Sequence, residues 1–80
     1  MENMQPIRFT HHALEQCLER GATEDEVRQA IEQGSHEPAK LGRELRRFNF
    51  AFGRLWQGRF FAIKQVAPVI KEEGDEIVVI

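Results

Sequence analysis

Cysteine is nearly absent from the chain. Cys17 is the one cysteine in 80 residues, so no intrachain disulfide can staple the fold, and a metal site would have to be built mostly from histidine. His11, His12, Cys17 and His36 show no recognised zinc-ligand spacing, so neither a metal nor another cofactor is expected. Long apolar runs are missing too. The longest are no longer than Ile77–Ile80, whereas a membrane span needs about 20 residues, so no membrane association is expected. The opening Met1-Glu2-Asn3-Met4-Gln5-Pro6 has neither the basic segment nor the apolar stretch of a secretory signal. Repeats, linkers and low-complexity tracts are also lacking. Hydrophobic residues make up 41% and charged residues 30% of the chain, a balance typical of a globule rather than a disordered chain. At this length about 60% of the unfolded chain's surface is buried on folding, enough for one core. The expectation is one reduced, cytoplasmic domain over residues 1–80.

Net charge is −2, which taken whole argues against a nucleic-acid ligand. Its distribution argues otherwise. Residues 1–39 hold three basic and eight acidic side chains, net −5. Residues 40–64 hold seven basic ones (Lys40, Arg43, Arg46, Arg47, Arg54, Arg59 and Lys64) against Glu44 alone, net +6. Residues 65–80 hold Lys71 against four acids, net −3. A basic block between acidic flanks is a local electrostatic feature that the overall balance conceals.

Hydrophobic period divides the chain near Gly42. Leu14, Cys17 and Leu18 recur at helical spacing, with Ala13 on the flank, Thr10 as N-cap and Gly21 as a stop, which predicts a helix over 11–20. Thr23 followed by Glu26 is a capping box, and Glu24, Asp25 and Glu26 sit where a helix dipole favours negative charge. That second helix carries Val27, Ala30 and Ile31 on one stripe and is expected to end with Gly34 in the left-handed conformation. Residues 35–42 contain Pro38 and Gly42 and read as a loop. From 44 to 52, Arg46, Phe48, Phe50 and Phe52 alternate with Arg47, Asn49 and Ala51, which predicts a strand that Gly53-Arg54 ends. A second strand is expected over 59–66, limited by Pro68. Residues 71–75 then form a charged hairpin loop and 76–80 a last strand. The fold class read from this pattern is α+β. Two N-terminal helices pack their Leu14/Leu18 and Val27/Ile31 stripes on the phenylalanine face of a mainly antiparallel sheet of three to four strands.

Thr10-His11-His12-Ala13-Leu14, then Glu19-Arg20-Gly21-Ala22-Thr23, resembles the start of a widespread bacterial domain-of-unknown-function family. That family opens with a strand, a His-Ala pair and an Arg-Gly pair before a second short helix, and it ends in an antiparallel sheet. It is grouped remotely with RelE-type toxins, barnase and colicin RNase domains. The resemblance implies a RelE/barnase-like domain and a toxin-type endoribonuclease that cleaves phosphodiesters without a metal. RNA would be the substrate and an antitoxin-like protein a partner. Gln16 stands where the family often has an arginine, and the family's last strand usually runs on beyond the position of Ile80.

The residues themselves outline a site. On a helix His12, Gln16 and Arg20 form one polar row, four apart. Cleaving RNA through its 2′-hydroxyl needs a base, an acid and a cation on the phosphate. Histidine suits proton transfer near neutrality, and the arginine fork suits phosphate. His12, Arg20 and Arg47 are therefore the catalytic candidates. Arg43, Arg46, Arg59, Lys64 and the loop histidine His36 are the candidates for substrate binding. The alternative is a solvated polar helix face on a non-catalytic module that binds nucleic acid or protein. Arg47 and Asn49 alternate with the phenylalanines, so they face outward with Trp56 as a stacking surface, while the six phenylalanines read as core. Cys17, on the apolar stripe, reads as a structural thiol. Ile77–Ile80 is expected either to be covered centrally or to form a homodimer through this strand or the face beside it.

Overall fold

The computed structural model describes residues 5–80. It begins with strand β1 (Ile7–Phe9), helix α1 (His11–Arg20) and helix α2 (Glu24–Gln33). Strand β2 (Ser35–Pro38) and a 3-10 turn (Lys40–Gly42) lead to β3 (Glu44–Trp56), β4 (Arg59–Val66), β5 (Val69–Glu73) and β6 (Glu76–Val79). No helix among the described residues is long and apolar enough to cross a membrane.

Both helices begin where their caps place them. The Thr10 hydroxyl accepts from the Ala13 amide at 3.1 Å. Thr23 and Glu26 exchange both capping-box bonds, at 3.0 and 3.1 Å. Helix α1 ends at Gly21 in the left-handed region (φ 71). Helix α2 does not end as expected. Gly34 is extended (φ −76, ψ 166), and glycine is needed there for a different reason. A Cβ on Gly34 would strike the Ala30 carbonyl oxygen and lie 2.6 Å from that of Arg47, because the end of α2 presses against β3.

The sheet corrects the expected three to four strands. Among the described residues it has six, in the order β1-β6-β5-β3-β2 with β4 also paired to β3. It is mixed, because β1 runs parallel to β6 while the other pairs are antiparallel. The segment read as a loop holds β2, and β5 occupies part of the expected hairpin loop. β6 lies between β1 and β5, with Ile77, Val78 and Val79 buried. Its backbone edges are both occupied, so it offers no free edge for strand pairing with a second copy.

The core is Ala13, Val27, Ala30, Ile31, Val66, Ile70, Ile77 and Val79, with Phe9, Cys17, Phe48 and Phe50 packed against it. The α2 stripe falls as expected; the α1 stripe does not. Leu18 is 84% exposed, and Ala13 and Cys17 face the sheet instead. One residue separates β1 from α1, and the Thr10 amide is bonded to the Val79 carbonyl at 3.1 Å. That short tether fixes the rotation of α1 and overrides its apolar stripe. Arg46 is buried on the same face of the sheet. Its guanidinium pairs with Glu44 (Nε–Oε1 2.7 Å) and donates to the Ile31 carbonyl near the end of α2, where a cation is favoured by the helix dipole.

β3 continues past Gly53 to Trp56. The register with β4 shifts between Ala51 and Arg54, a bulge that absorbs the glycine. Its first part is held on both edges, by β2 and by β5, but from Phe48 onward its strand partner among the described residues is β4 alone. Residues 48–66 are thus a two-stranded arm, closed by Gln57 and Gly58 in a tight turn with positive φ at both.

The Gly34 contact predicts a contrast. Gly34→Ala should destabilise the protein by about 3 kcal/mol, since backbone must move. Gly42→Ala, in the left-handed region (φ 72) but with nothing within 4 Å, should cost about 1 kcal/mol. Urea melts of the two variants measure the difference; equal costs would mean that α2 does not press on β3.

Candidate nucleic-acid interface

The basic block does not form one patch. Arg46 points under the helices and is consumed by Glu44 and α2. Arg47, the next residue in the pleat, points to the opposite face of the sheet. There it binds Glu37 through Nε (2.7 Å) and Nη2 (2.9 Å) and donates from Nη1 to Gln65 (2.8 Å). Gln65 in turn donates to Asn49 at 3.0 Å, so one polar chain ties β2, β3 and β4 together. Hydrogen bonding to Arg47 holds the Glu37 carboxyl below its ordinary pKa. Lys64 is mostly buried, donating to the Gly21 carbonyl and pairing with Glu26 at 2.7 Å. Three of the expected phosphate ligands are therefore held within the fold.

The expected catalytic group is not assembled. His12 is exposed on α1, whereas Arg47 lies on the face of the sheet away from the helices. Gln16 and Arg20 of the same polar row line a cleft between α1 and the sheet, and His12 is not among its lining residues. His11 pairs with Glu15 at 3.0 Å, and His36 lies 3.7 Å from Glu44 beside Arg43 at the far end of β3. Among the described residues, no carboxylate lies within ion-pair distance of Arg20, Arg43, Arg54 or Arg59.

Three of those four arginines cluster on the arm or beside it. The Arg54 guanidinium sits 5.0 Å above the Phe52 ring, and that of Arg59 5.7 Å above Phe61, distances at which cation and ring attract. Trp56 and Phe61 meet at 6.4 Å with planes at 63°. The bulged ribbon curls so that Trp56 and Lys64, on opposite faces of its pleat, both reach Gly21 at the end of α1. A cleft of about 170 Å³ opens there, lined by Arg20, Gly21, Phe52, Trp56, Phe61 and Ile63. It adjoins the cleft beside α1, about 330 Å³, through the shared Arg20, Lys64 and Gln65; Cys17, Val66 and Val79 line that second space. Burial, then the charge of Glu24, raises the Cys17 pKa, so the thiol stays protonated and unreactive near neutrality.

Arg20 and Arg59 were legible as candidates; Trp56, expected outward with Arg47 and Asn49, is instead half-buried against Gly21 at the end of α1. The phenylalanines of the arm were not. Phe60 is 64% exposed, as are Leu55 (69%) and Ile63 (59%), so the reading of all six phenylalanines as core is corrected. The available signal was Trp56-Gln57-Gly58-Arg59, a hairpin turn that carries the neighbouring strands beyond the helices.

Lys64 and Glu26 fasten the arm to α2. Burial pushes the Glu26 carboxyl up, but the Lys64 ammonium and the Thr23 amide more than offset this, and its pKa is lowered. The stability this carboxylate contributes is complete above its ordinary pKa of 4.5 and is lost as pH falls through the lowered value. Glu26→Gln keeps a capping-box residue but removes the charge. It should therefore be less stable than the natural protein at neutral pH, with the difference closing as pH falls through the lowered pKa of the carboxyl, as urea melts across an acid pH series will measure. No family model, no curated protein and no solved structure matches the chain.

Proposed function

We propose that this chain is a cytoplasmic, non-catalytic module that binds single-stranded RNA with its β3–β4 arm and the adjoining end of α1. The observation that carries the reading is the pairing of uncommitted arginines with aromatic rings. Arg54 lies on Phe52, Arg59 on Phe61, and Arg20 beside Trp56. Residues 45–71 contain no Asp or Glu, so nothing on the arm repels a phosphate chain. Bases stack on aromatic faces whatever their identity, and arginines beside them meet the phosphates. A duplex would not present its base faces to these rings.

Cleavage has less support, although the resemblance to toxin-type ribonucleases suits an RNA ligand. An acid/base histidine must reach the phosphodiester that the arginines hold. His12 does not line the clefts around Arg20, and Arg47 is bound to Glu37 on the other face of the sheet.

Anisotropy of a labelled mixed-sequence single-stranded RNA, titrated in EDTA across a salt series, tests the proposal. Arg54→Ala and Arg59→Ala should each flatten the slope of log K against log salt by about 0.7, one single-strand phosphate contact. Arg47→Ala should leave the slope unchanged, because its charge is answered by Glu37. The RNA should stay intact throughout. Cleavage that disappears in His12→Ala would replace this reading with the ribonuclease one, and salt-insensitive or absent binding would end both.

A further inference from the structure

The cleft between the arm and the end of α1 has features the fold itself does not use. Its walls are aromatic, with Trp56 and Phe61 at an angle of 63° rather than in a filled stack, and Phe52 beside them. The backbone of Gly21 forms part of it. A side chain there would come within 2.8 Å of the Trp56 indole nitrogen, so the indole rests on bare backbone. Arg20, the last residue of α1, is exposed at the rim. It has no carboxylate within ion-pair distance among the described residues.

We propose that this cleft takes one unstacked nucleotide, with its base against Trp56 and Phe61 and its phosphate on Arg20. The inference rests on the single-strand reading of this face and adds a defined subsite to it. A volume of about 170 Å³ accommodates a ring system but not a stacked helix. Arg20 is the only uncommitted cation among the described lining residues, because Lys64 is bound to Glu26 and the Gly21 carbonyl. One free guanidinium in the lining matches one phosphate, as in a nucleoside monophosphate, and Arg54 and Arg59, over the Phe52 and Phe61 rings, are left for the neighbouring phosphates of a strand. β4 borders the cleft and has no strand on its outer edge among the described residues. Alternate residues of an edge strand leave N–H and C=O groups outside the ladder, available to a base edge.

Trp56 is the chain's one tryptophan, so its emission reports directly on the cleft. The full chain is titrated with adenosine 5′-monophosphate, adenosine, adenosine triphosphate and inorganic phosphate, and with the labelled RNA in parallel. Saturable quenching is expected with the monophosphate, about tenfold weaker with adenosine and no tighter with the triphosphate. Arg20→Gln should bring monophosphate and adenosine to the same affinity. Phe61→Leu should weaken both about tenfold or more, the loss typical of one stacking partner. Arg20 is exposed, so its variant tests the site without disturbing the core. RNA binding with no monophosphate quenching would overturn the subsite and leave the single-strand reading standing. Saturable quenching without RNA binding would do the reverse. Inorganic phosphate that binds as tightly as the monophosphate would reduce the cleft to an anion site and also overturn the proposal.

Discussion

The Lys64 side chain, held by the Gly21 carbonyl and the Glu26 carboxylate, decides where the arm lies. From Phe48 outward the arm is a two-stranded ribbon, and such ribbons are marginal in water by themselves. Its outer face exposes Leu55 and Phe60, which supply little packing. Its base packs on the core through Phe48, Phe50 and Val66, and what fixes its outer part is the contact of Trp56 and Lys64 with one glycine at the α1–α2 junction. Lys64 is an expensive choice of fastener, since it is only 16% exposed and partly desolvated. Its gain is direction: three donors on one ammonium reach a backbone carbonyl and a capping carboxylate together, joining two helix ends to a strand.

The same carboxylate belongs to the capping box of α2. Glu26 accepts from the Thr23 amide at 3.0 Å and pairs with Lys64 at 2.7 Å, so the start of the helix and the seating of the arm share one group. Groups in one network do not contribute additively, and loosening the arm therefore weakens the helix start as well. At the other end of α2, Arg46 binds the Ile31 carbonyl. The helix is held at each end by a cation from the basic block, one from β4 and one from β3.

Much of the fold was legible because it rests on local chemistry. Thr10, Thr23 and Glu26 mark helix starts by hydrogen bonds that span three residues, and the phenylalanine alternation marks β3 regardless of its partners. The missing strands are those that tertiary pairing alone creates. β1 alternates but is only three residues long, β2 ends in Pro38, and β5 carries Lys71, Glu72 and Glu73; none is long or regular enough to read from its own period. Leu18 misled for a related reason. Its spacing was correct for a helix, but the tether to β1 turned Leu18 toward solvent and Ala13 and Cys17 toward the core.

The candidate site was harder to read because charge counted along a chain ignores pairing across it. Arg46 and Arg47 are adjacent in sequence and point to opposite faces of the sheet, where Glu44 and Glu37 answer them. Glu37 lies outside the basic block as the sequence defines it, and so does Glu26, the partner of Lys64. The block's surplus shrinks on folding to the cations that found no carboxylate, and two of these, Arg54 and Arg59, are set beside aromatic rings. An arginine over a ring keeps its charge and its donors while its flat face is covered. Folding thus sorts the basic residues by partner. Those that meet carboxylates hold strands and helices together, and Arg54 and Arg59, which meet phenylalanines alone, are left able to meet a phosphate.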